Sequence, residues 1–406
     1  MSAQNQSISG SNQTGSSKQA TLRTDVIVSA ESDVQPELSV IMPTLNEEDG
    51  IVECIDRIKT AARELQIPTE ILISDSSTDR TPELAAANDA IVVEPDEPGY
   101  GYAYRYAFRQ ARGEYIAIGD ADTTYDFEEL PKLFELVANG DADMVIGSRL
   151  EGEIKDGAMP PLHQHIGNPL LTKFLNVFYD AGVSDAHSGM RVISREALDD
   201  LNLQSTGMEF ASEMIMEAGA RDMMIKELPI TYREREGEAT LESFRDGWRH
   251  VRFMLLNAPG YLFSVPGLVL GMLGLVIMAL AYAPVELAGV RLGGNSMIAG
   301  SLLTLVGYQV GSFGILAAVA TDPIRRPSDR VTAWTTSHFR LEQGVIGGLL
   351  LASTGTAYAL LMIGQWITSG YVQIPALMNV VLAFATIVLG VQTIFGSFFM
   401  STIADC

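Results

Sequence analysis

The sequence predicts an α/β domain, built on a mostly parallel sheet flanked by helices, followed by four transmembrane helices. Three observations predict this. Short β-branched runs alternate with amphipathic stretches from Leu38 to about Tyr232, and such runs, buried on both faces and separated by helices, indicate parallel strands. After Arg252 the composition turns apolar, in four stretches that each reach the ~20 residues needed to cross a hydrocarbon core. The chain, at 406 residues, is also longer than one average domain.

Residues 1–36 are mainly Ser, Gln, Asn, Thr and Gly, which cannot offset the entropy of ordering, so a disordered tail is expected. No apolar segment follows a basic one, and this start does not read as a signal peptide. The α/β domain is expected over 37–240. Ser39-Val-Ile-Met, Ile71-Leu-Ile-Ser, Ala90-Ile-Val-Val, Tyr115-Ile-Ala-Ile and Met144-Val-Ile-Gly are its strands, with helices such as Gly50 to Leu65 and Glu128 to Ala138 between them. Ligands of such sheets sit beyond the carboxyl ends of the strands.

Residues 241–258 read as an amphipathic interfacial helix. Phe244, Trp248, Val251 and Leu255 share one stripe and Arg245, Arg249 and Arg252 its neighbour, a pattern suited to anionic lipid. Within 259–406 the spans are Tyr261 to Ala283, Ser296 to Ala320, Gly344 to Trp366 and Ala376 to Met400. Arg325, Arg326, Arg330 and Arg340 lie between the second and third. The positive-inside rule makes that loop cytoplasmic, and four spans put the large domain on the same side of the cell membrane.

Asp and Glu number 50 against 27 Lys and Arg, a net charge of -23. No basic footprint for nucleic acid is expected. Lysine is rare, and an acidic, lysine-poor surface suits a salt-loving source, a halophilic archaeon, where charge repulsion is screened. Cys54 and Cys406 match no disulfide framework or zinc-ligand spacing.

The sharpest chemical signal is Gly119-Asp120-Ala121-Asp122, directly after the strand Tyr115 to Ile118. Two carboxylates one residue apart at a strand end suit a hard divalent cation, Mg²⁺ or Mn²⁺, that also takes phosphate oxygens. Other strand ends agree. The first runs into Pro43-Thr44-Leu45-Asn46-Glu47-Glu48, the second into Ser74-Asp75-Ser76-Ser77-Thr78-Asp79-Arg80-Thr81, and Gly99 and Gly101 open a helix. Small residues at that helix start let backbone N–H groups approach phosphate.

With these segments in place the sequence resembles the family 2 glycosyltransferases of the GT-A nucleotide-diphospho-sugar transferase fold. It is most similar to polyprenyl- and dolichyl-phosphate hexosyl (mannose or glucose) synthases with a C-terminal membrane anchor. Ser39 to Glu48, Asp75 to Thr81, Gly119 to Asp122, Gly147-Ser148-Arg149, Ser184 to Arg191, Met208 to Glu213 and Leu228 to Glu238 carry the resemblance. It implies that Pro43, Leu45, Glu47, Asp75, Ala121 and Arg149 meet the nucleotide sugar and that Asp120 and Asp122 hold the metal. Arg233 or Arg235 then faces the donor phosphates, with Arg235 the chosen candidate. Arg149, His165, Ser188 and Arg191 are the acceptor-phosphate candidates, with His163 beside them. Ser74, Thr124 and Thr240 depart from the family, standing where relatives carry an aspartate, a glutamine and a lysine.

The expected reaction is inverting transfer of a hexose from a UDP-glucose or GDP-mannose type donor to polyprenyl or dolichyl phosphate at the cytoplasmic face, for protein or cell-surface glycosylation. A lipid phosphate is largely ionised near neutral pH, its second pKa being ~6, so positioning and charge stabilisation outweigh base catalysis. Asp122 and Glu209 are the carboxylates for a base role. The rivals are a processive polysaccharide synthase, whose Q-x-x-R-W segment is missing here, a nucleotidyltransferase, and a non-enzymatic membrane scaffold. An oligomer is compatible with four spans.

Overall fold

The computed structural model describes residues 26–236, 243–283, 286–287, 290–320 and 341–404. Seven strands form one sheet: β1 (Leu38–Thr44), β2 (Thr69–Asp75), β3 (Ile91–Val93), β4 (Tyr115–Ile118), β5 (Met144–Ile154), β6 (Arg191–Ser194) and β7 (Ile225–Tyr232). Their order is β3-β2-β1-β4-β6-β5-β7. β1, β2, β3 and β4 are mutually parallel, β6 runs antiparallel between β4 and β5, and β7 is parallel to β5.

Alternation along each strand divides two cores. Val40, Met42, Ile71, Ile73, Ala117 and Val192 face α1 (Ile51–Leu65) and α4 (Leu130–Ala138). Ile41, Leu72, Ile116, Ile118 and Ile193 face α3 (Tyr100–Phe108), α5 (Asn168–Tyr179), α6 (Arg195–Asp200) and α7 (Phe210–Ala220). The remaining helix of this domain, α2 (Thr81–Ala87), links β2 to β3. The chain moves outward from β1 through β2 to β3, then returns to the other side of β1 with β4. A crevice opens at such a switch, outside the strand ends.

Residues 26–36 do not all behave as the polar tail expected for 1–36. Val28 is buried, its N–H donates to the Thr69 carbonyl at 2.8 Å, and the Thr69 N–H returns to Val26 at 2.8 Å. Apolar Val26-Ile27-Val28 thus extends the edge beside β2, correcting the boundary; residues 1–25 lie outside the described residues.

α8 (Ser243–Leu256) leads through a π-turn at Gly260–Ser264 into α9 (Val265–Tyr282). α10 (Gly294–Ala320), α11 (Leu341–Thr368) and α12 (Leu377–Ala404) follow, with a two-stranded ribbon, β8 (Glu286–Leu287) and β9 (Val290–Arg291), before α10. All four long helices have the length and hydropathy to cross a bilayer. α9 packs on α10 and α11 on α12 through glycine. A Cβ on Gly307 would lie 2.2 Å from the Gly271 nitrogen, an approach that small residues permit where no hydrophobic effect drives helix association. The arginine loop 321–340, on which the cytoplasmic expectation rests, lies outside the described residues, as does Thr240.

Candidate active site

The expected acidic pair meets at the switch point. β4 ends at Ile118, and its continuation carries Asp120 and Asp122 across the end of β1. Tyr100, the first residue of α3, donates its hydroxyl to Asp120 Oδ1 at 2.7 Å. Asp120 Oδ2 faces Gly189, where a Cβ would stand 2.7 Å away, so only glycine lets that backbone approach the carboxylate. Asp122 Oδ1 accepts from the Thr124 N–H at 3.2 Å and hydroxyl at 2.5 Å. Thr124 therefore orients the second carboxylate rather than adding a longer ligand of its own.

Arg235 decides which of the two candidate arginines joins the site. Its guanidinium bridges Asp122 Oδ2 at 3.1 Å and Glu47 Oε1 at 2.6 Å, whereas Arg233 pairs with Asp126. Burial raises the Glu47 carboxyl to about 7, opposed by the Arg235 charge and reinforced by Asp122. Burial, then the Asp122 charge, raises Asp120 to about 6. A buried carboxylate whose ionisation a neighbouring acid opposes suits a cation beside it. With two hard carboxylates one residue apart at the strand end, these residues fit Mg²⁺ or Mn²⁺. Among the described residues no cluster of three or more His, Cys, Asp or Glu side chains is gathered for a metal, so further ligands would come from substrate or water.

The β1 and β2 loops interlock behind this centre. Asn46, in the left-handed region at φ 58°, accepts from the Thr78 N–H at 2.8 Å, while the Asn46 N–H donates to Ser77 Oγ at 2.8 Å. Asp75 Oδ1 accepts from Thr44 at 2.7 Å and from the Ser77 hydroxyl at 2.6 Å. Asp75 therefore shapes the loop from within. Pro43, one residue before the end of β1, pairs with Ser74, Leu45 projects 55% exposed at the rim, and Ala121 is buried between the two aspartates.

Several expected ligands have other tasks. Arg149 is buried in a two-pronged pair with Asp185, Nε to Oδ2 and Nη2 to Oδ1 both at 2.8 Å, beneath the Tyr232 ring at 5.3 Å. Its charge is matched internally, so it stiffens the wall by Asp120 instead of offering an unpaired cation. Arg191 is 1% exposed and donates to the carbonyls of Ser188 and Ala186 at 3.0 and 2.9 Å. The Ser188 hydroxyl donates to the Gly147 carbonyl. Both fold the loop 184–191 through these internal bonds. Gly101 and Tyr102 donate their N–H groups to the Thr206 carbonyl at 3.0 and 3.2 Å, so the α3 start is capped by protein. Glu209 Oε2 is buried with no hydrogen-bond partner among the described residues.

His163 and His165 occupy a π-turn, His163–Gly167, that runs directly into α5; His165 is exposed. No hydrogen bond or ion pair among the described residues joins either to the carboxylate pair. This segment instead presents Leu162, Ile166, Leu170 and Val177, between 57 and 62% exposed, at helical spacing along one stripe. At its far end Phe178 stacks on Tyr261 of the π-turn before α9, ring centres 4.4 Å apart. Sequence reasoning missed this stripe and Tyr100; the four-residue spacing of Leu162, Ile166 and Leu170 was the available signal.

A family model described as "Glycosyl transferase family 2" matches residues 39–201, and one described as "Glycosyltransferase family 2 C-terminal transmembrane region" matches 315–404. The low-salt glycan biosynthesis hexosyltransferase Agl6 of Haloferax volcanii is 58% identical over 381 residues, 94% of this chain and 92% of that protein. The chain belongs to the family 2 glycosyltransferases. The transferase is also similar to a dolichyl-phosphate hexose transferase of the same organism, 35% identical over 52% of this chain and 89% of that one. A solved structure, glucosyl-3-phosphoglycerate synthase from Mycobacterium tuberculosis with Mn²⁺ and UDP, is 24% identical over 55% of this chain and 80% of its own, at a TM-score of 0.45. The GT-A expectation holds for this transferase, and so does the C-terminal membrane region.

Proposed function

We propose that this transferase moves a hexose from a nucleotide-diphosphate sugar of the UDP-glucose or GDP-mannose type to polyprenyl or dolichyl phosphate, at the cytoplasmic face of the membrane. One observation carries the reading. The exposed apolar stripe runs through the π-turn into α5, and Phe178 of α5 stacks on the segment entering the first span, while the carboxylate pair lies at the sheet end of the same domain. The domain thus combines a polar donor site with an apolar face beside the bilayer, the two chemistries an isoprenoid phosphate acceptor requires. The relatives named for hexose transfer, one of them from dolichyl phosphate chemistry, support it.

Asp120 and Asp122 would hold a divalent cation, which when bound supplies charge neutralisation for the leaving diphosphate. Tyr100 and Thr124 fix the two carboxylates by hydrogen bonds, and Arg235 keeps a cation beside Asp122 and Glu47. The lipid phosphate, with a second pKa of ~6, arrives largely ionised, so its oxygen attacks the anomeric carbon without a base. Asp122 is poorly suited to that role because both its oxygens already accept hydrogen bonds. Direct displacement inverts the centre, and the nucleoside diphosphate leaves from the opposite side. Leu162, Ile166 and Leu170 would dip toward acyl chains, and Lys173, an exposed residue of α5 one turn beyond Leu170, would reach for headgroups. The product is a lipid-phosphate sugar for protein or cell-surface glycosylation.

The test is to supply membranes containing the full chain with UDP-glucose and GDP-mannose in turn, with and without added dolichyl phosphate. Mass spectrometry should find a dolichyl phosphate heavier by one hexose. Repeated addition to a growing glycan, or no lipid product from any nucleotide sugar, contradicts the reading.

A further inference from the structure

The loop 184–191 forms part of the wall beside the carboxylate pair, and a half-buried polar chain leads from it to the membrane-entry helix. On its inner side the loop is fixed by Asp185 on Arg149, Ser188 on the Gly147 carbonyl, and the Gly189 N–H on Tyr125 Oη at 2.6 Å. Gly189 itself abuts Asp120. His187 connects elsewhere. Its Nε2 lies 3.1 Å from Ser212 Oγ on α7, and that hydroxyl lies 2.9 Å from His250 Nδ1 on α8. The two imidazoles meet edge to face, centres 5.0 Å apart.

We propose that His187 is a positioning residue for the acceptor half of the reaction: through Ser212 and His250 it ties the loop 184–191 to the helix that enters the membrane. The inference rests on the lipid-phosphate reading above. α8 continues through the π-turn into α9, so the depth and angle at which this helix meets the bilayer reach the site wall through a serine hydroxyl and two imidazole rings. Apolar packing alone would hold α8 in place, and Met254 is already buried in the core for that purpose. The relay is less economical. His187 Nδ1 is buried with no partner among the described residues, an unfavourable burial that an apolar side chain of similar size would avoid. Burial, then the neighbouring His250, pushes His187 down to about 3, so it is neutral near pH 7. The single Ser212 proton then permits a hydrogen bond in which serine donates to one ring and accepts from the other. Such bonds are directional where apolar contact is not, and direction is what fixing a loop against a helix requires.

The experiment uses the full chain in vesicles, with dolichyl phosphate as acceptor and whichever of UDP-glucose and GDP-mannose supports transfer. Ser212→Ala and His187→Leu should raise KM for dolichyl phosphate on the order of tenfold, the scale of a small misplacement of reacting groups, with a much smaller rise in KM for the nucleotide sugar, because the same loop abuts Asp120. His187→Gln, which keeps an N–H near the position of Nε2, should restore most of the acceptor KM. His250→Gln gives an independent arm from α8 should His187→Leu fail to accumulate. Unchanged acceptor KM in Ser212→Ala and His250→Gln overturns the proposal, as does an equal rise in both KM values, which a merely structural role predicts. A wild-type chain that makes no lipid product overturns the acceptor reading and this proposal with it, whereas a productive wild type with silent variants removes the relay alone.

Discussion

The carboxylate pocket and the exposed apolar face of this transferase, proposed above as its donor and acceptor walls, are built on opposite principles. On the donor side, Glu47, Asp120, Asp122 and Arg235 sit in a network where loops from β1, β2 and β4 hold one another by short polar contacts. On the proposed acceptor side, the π-turn and α5 show solvent an apolar stripe, and Phe178 ties its end to the membrane segment. The difference teaches what each substrate demands. A leaving diphosphate needs charges pre-set before it arrives, because electrostatic stabilisation works when no reorganisation is left to do. A long isoprenoid needs an apolar surface and tolerates imprecision along its length.

The sharpest way to break this contrast is to remove one charge from the donor wall. Asp122→Asn should lower the rate of hexose transfer by about 10²–10³, the range for losing a central electrostatic group, while the α/β domain stays folded by circular dichroism. Arg235→Gln comes next: it leaves Glu47 and Asp122 without their shared cation and should raise KM for the nucleotide sugar by about tenfold, a ~1.4 kcal/mol effect, read in initial-rate assays.

Acidity probes the same wall. Metal binding needs Asp120 ionised, and its carboxyl is raised to about 6. Above that value affinity for Mn²⁺ should be flat; below it proton and metal compete, and affinity should fall by about tenfold per pH unit, measurable by calorimetry. The sign is that of an acid raised in the folded chain: the proton is favoured as pH falls. A carboxyl titrating near the ordinary value of 3.8 would move that break well below pH 6. On the acceptor wall the effect should be smaller and selective. Ile166→Asp should raise KM for dolichyl phosphate by about fivefold, reflecting one apolar side chain withdrawn from the bilayer at ~1 kcal/mol, with donor kinetics untouched. An equal change for both substrates would erase the distinction between the walls.

Much of the donor wall was legible in the sequence because it is local. β4 is an apolar run, and the acids follow it within four residues, so strand, switch point and carboxylate pair could be read together. β6 was not anticipated: Arg191-Val-Ile-Ser is short and begins on a charge, and its place between β4 and β5 is a tertiary choice. The same limit explains Arg149. Its partner Asp185 lies 36 residues away, and no spacing rule shows that a phosphate-facing arginine is already paired. Ser188 and Arg191 turned inward for the same reason, since the carbonyls that receive them exist only once the loop has closed. The α5 stripe was hidden differently: His163 and His165 are the chemically conspicuous residues there, while the leucines and isoleucine around them carry the pattern.

The most direct test of a single displacement on a donor held by Asp120 and Asp122 is the anomeric configuration of the lipid product, read by NMR after transfer from an α-linked nucleotide sugar to dolichyl phosphate. The account predicts a β-linked hexosyl phosphate. An α-linked product, which requires two displacements or a different geometry of attack, would contradict it.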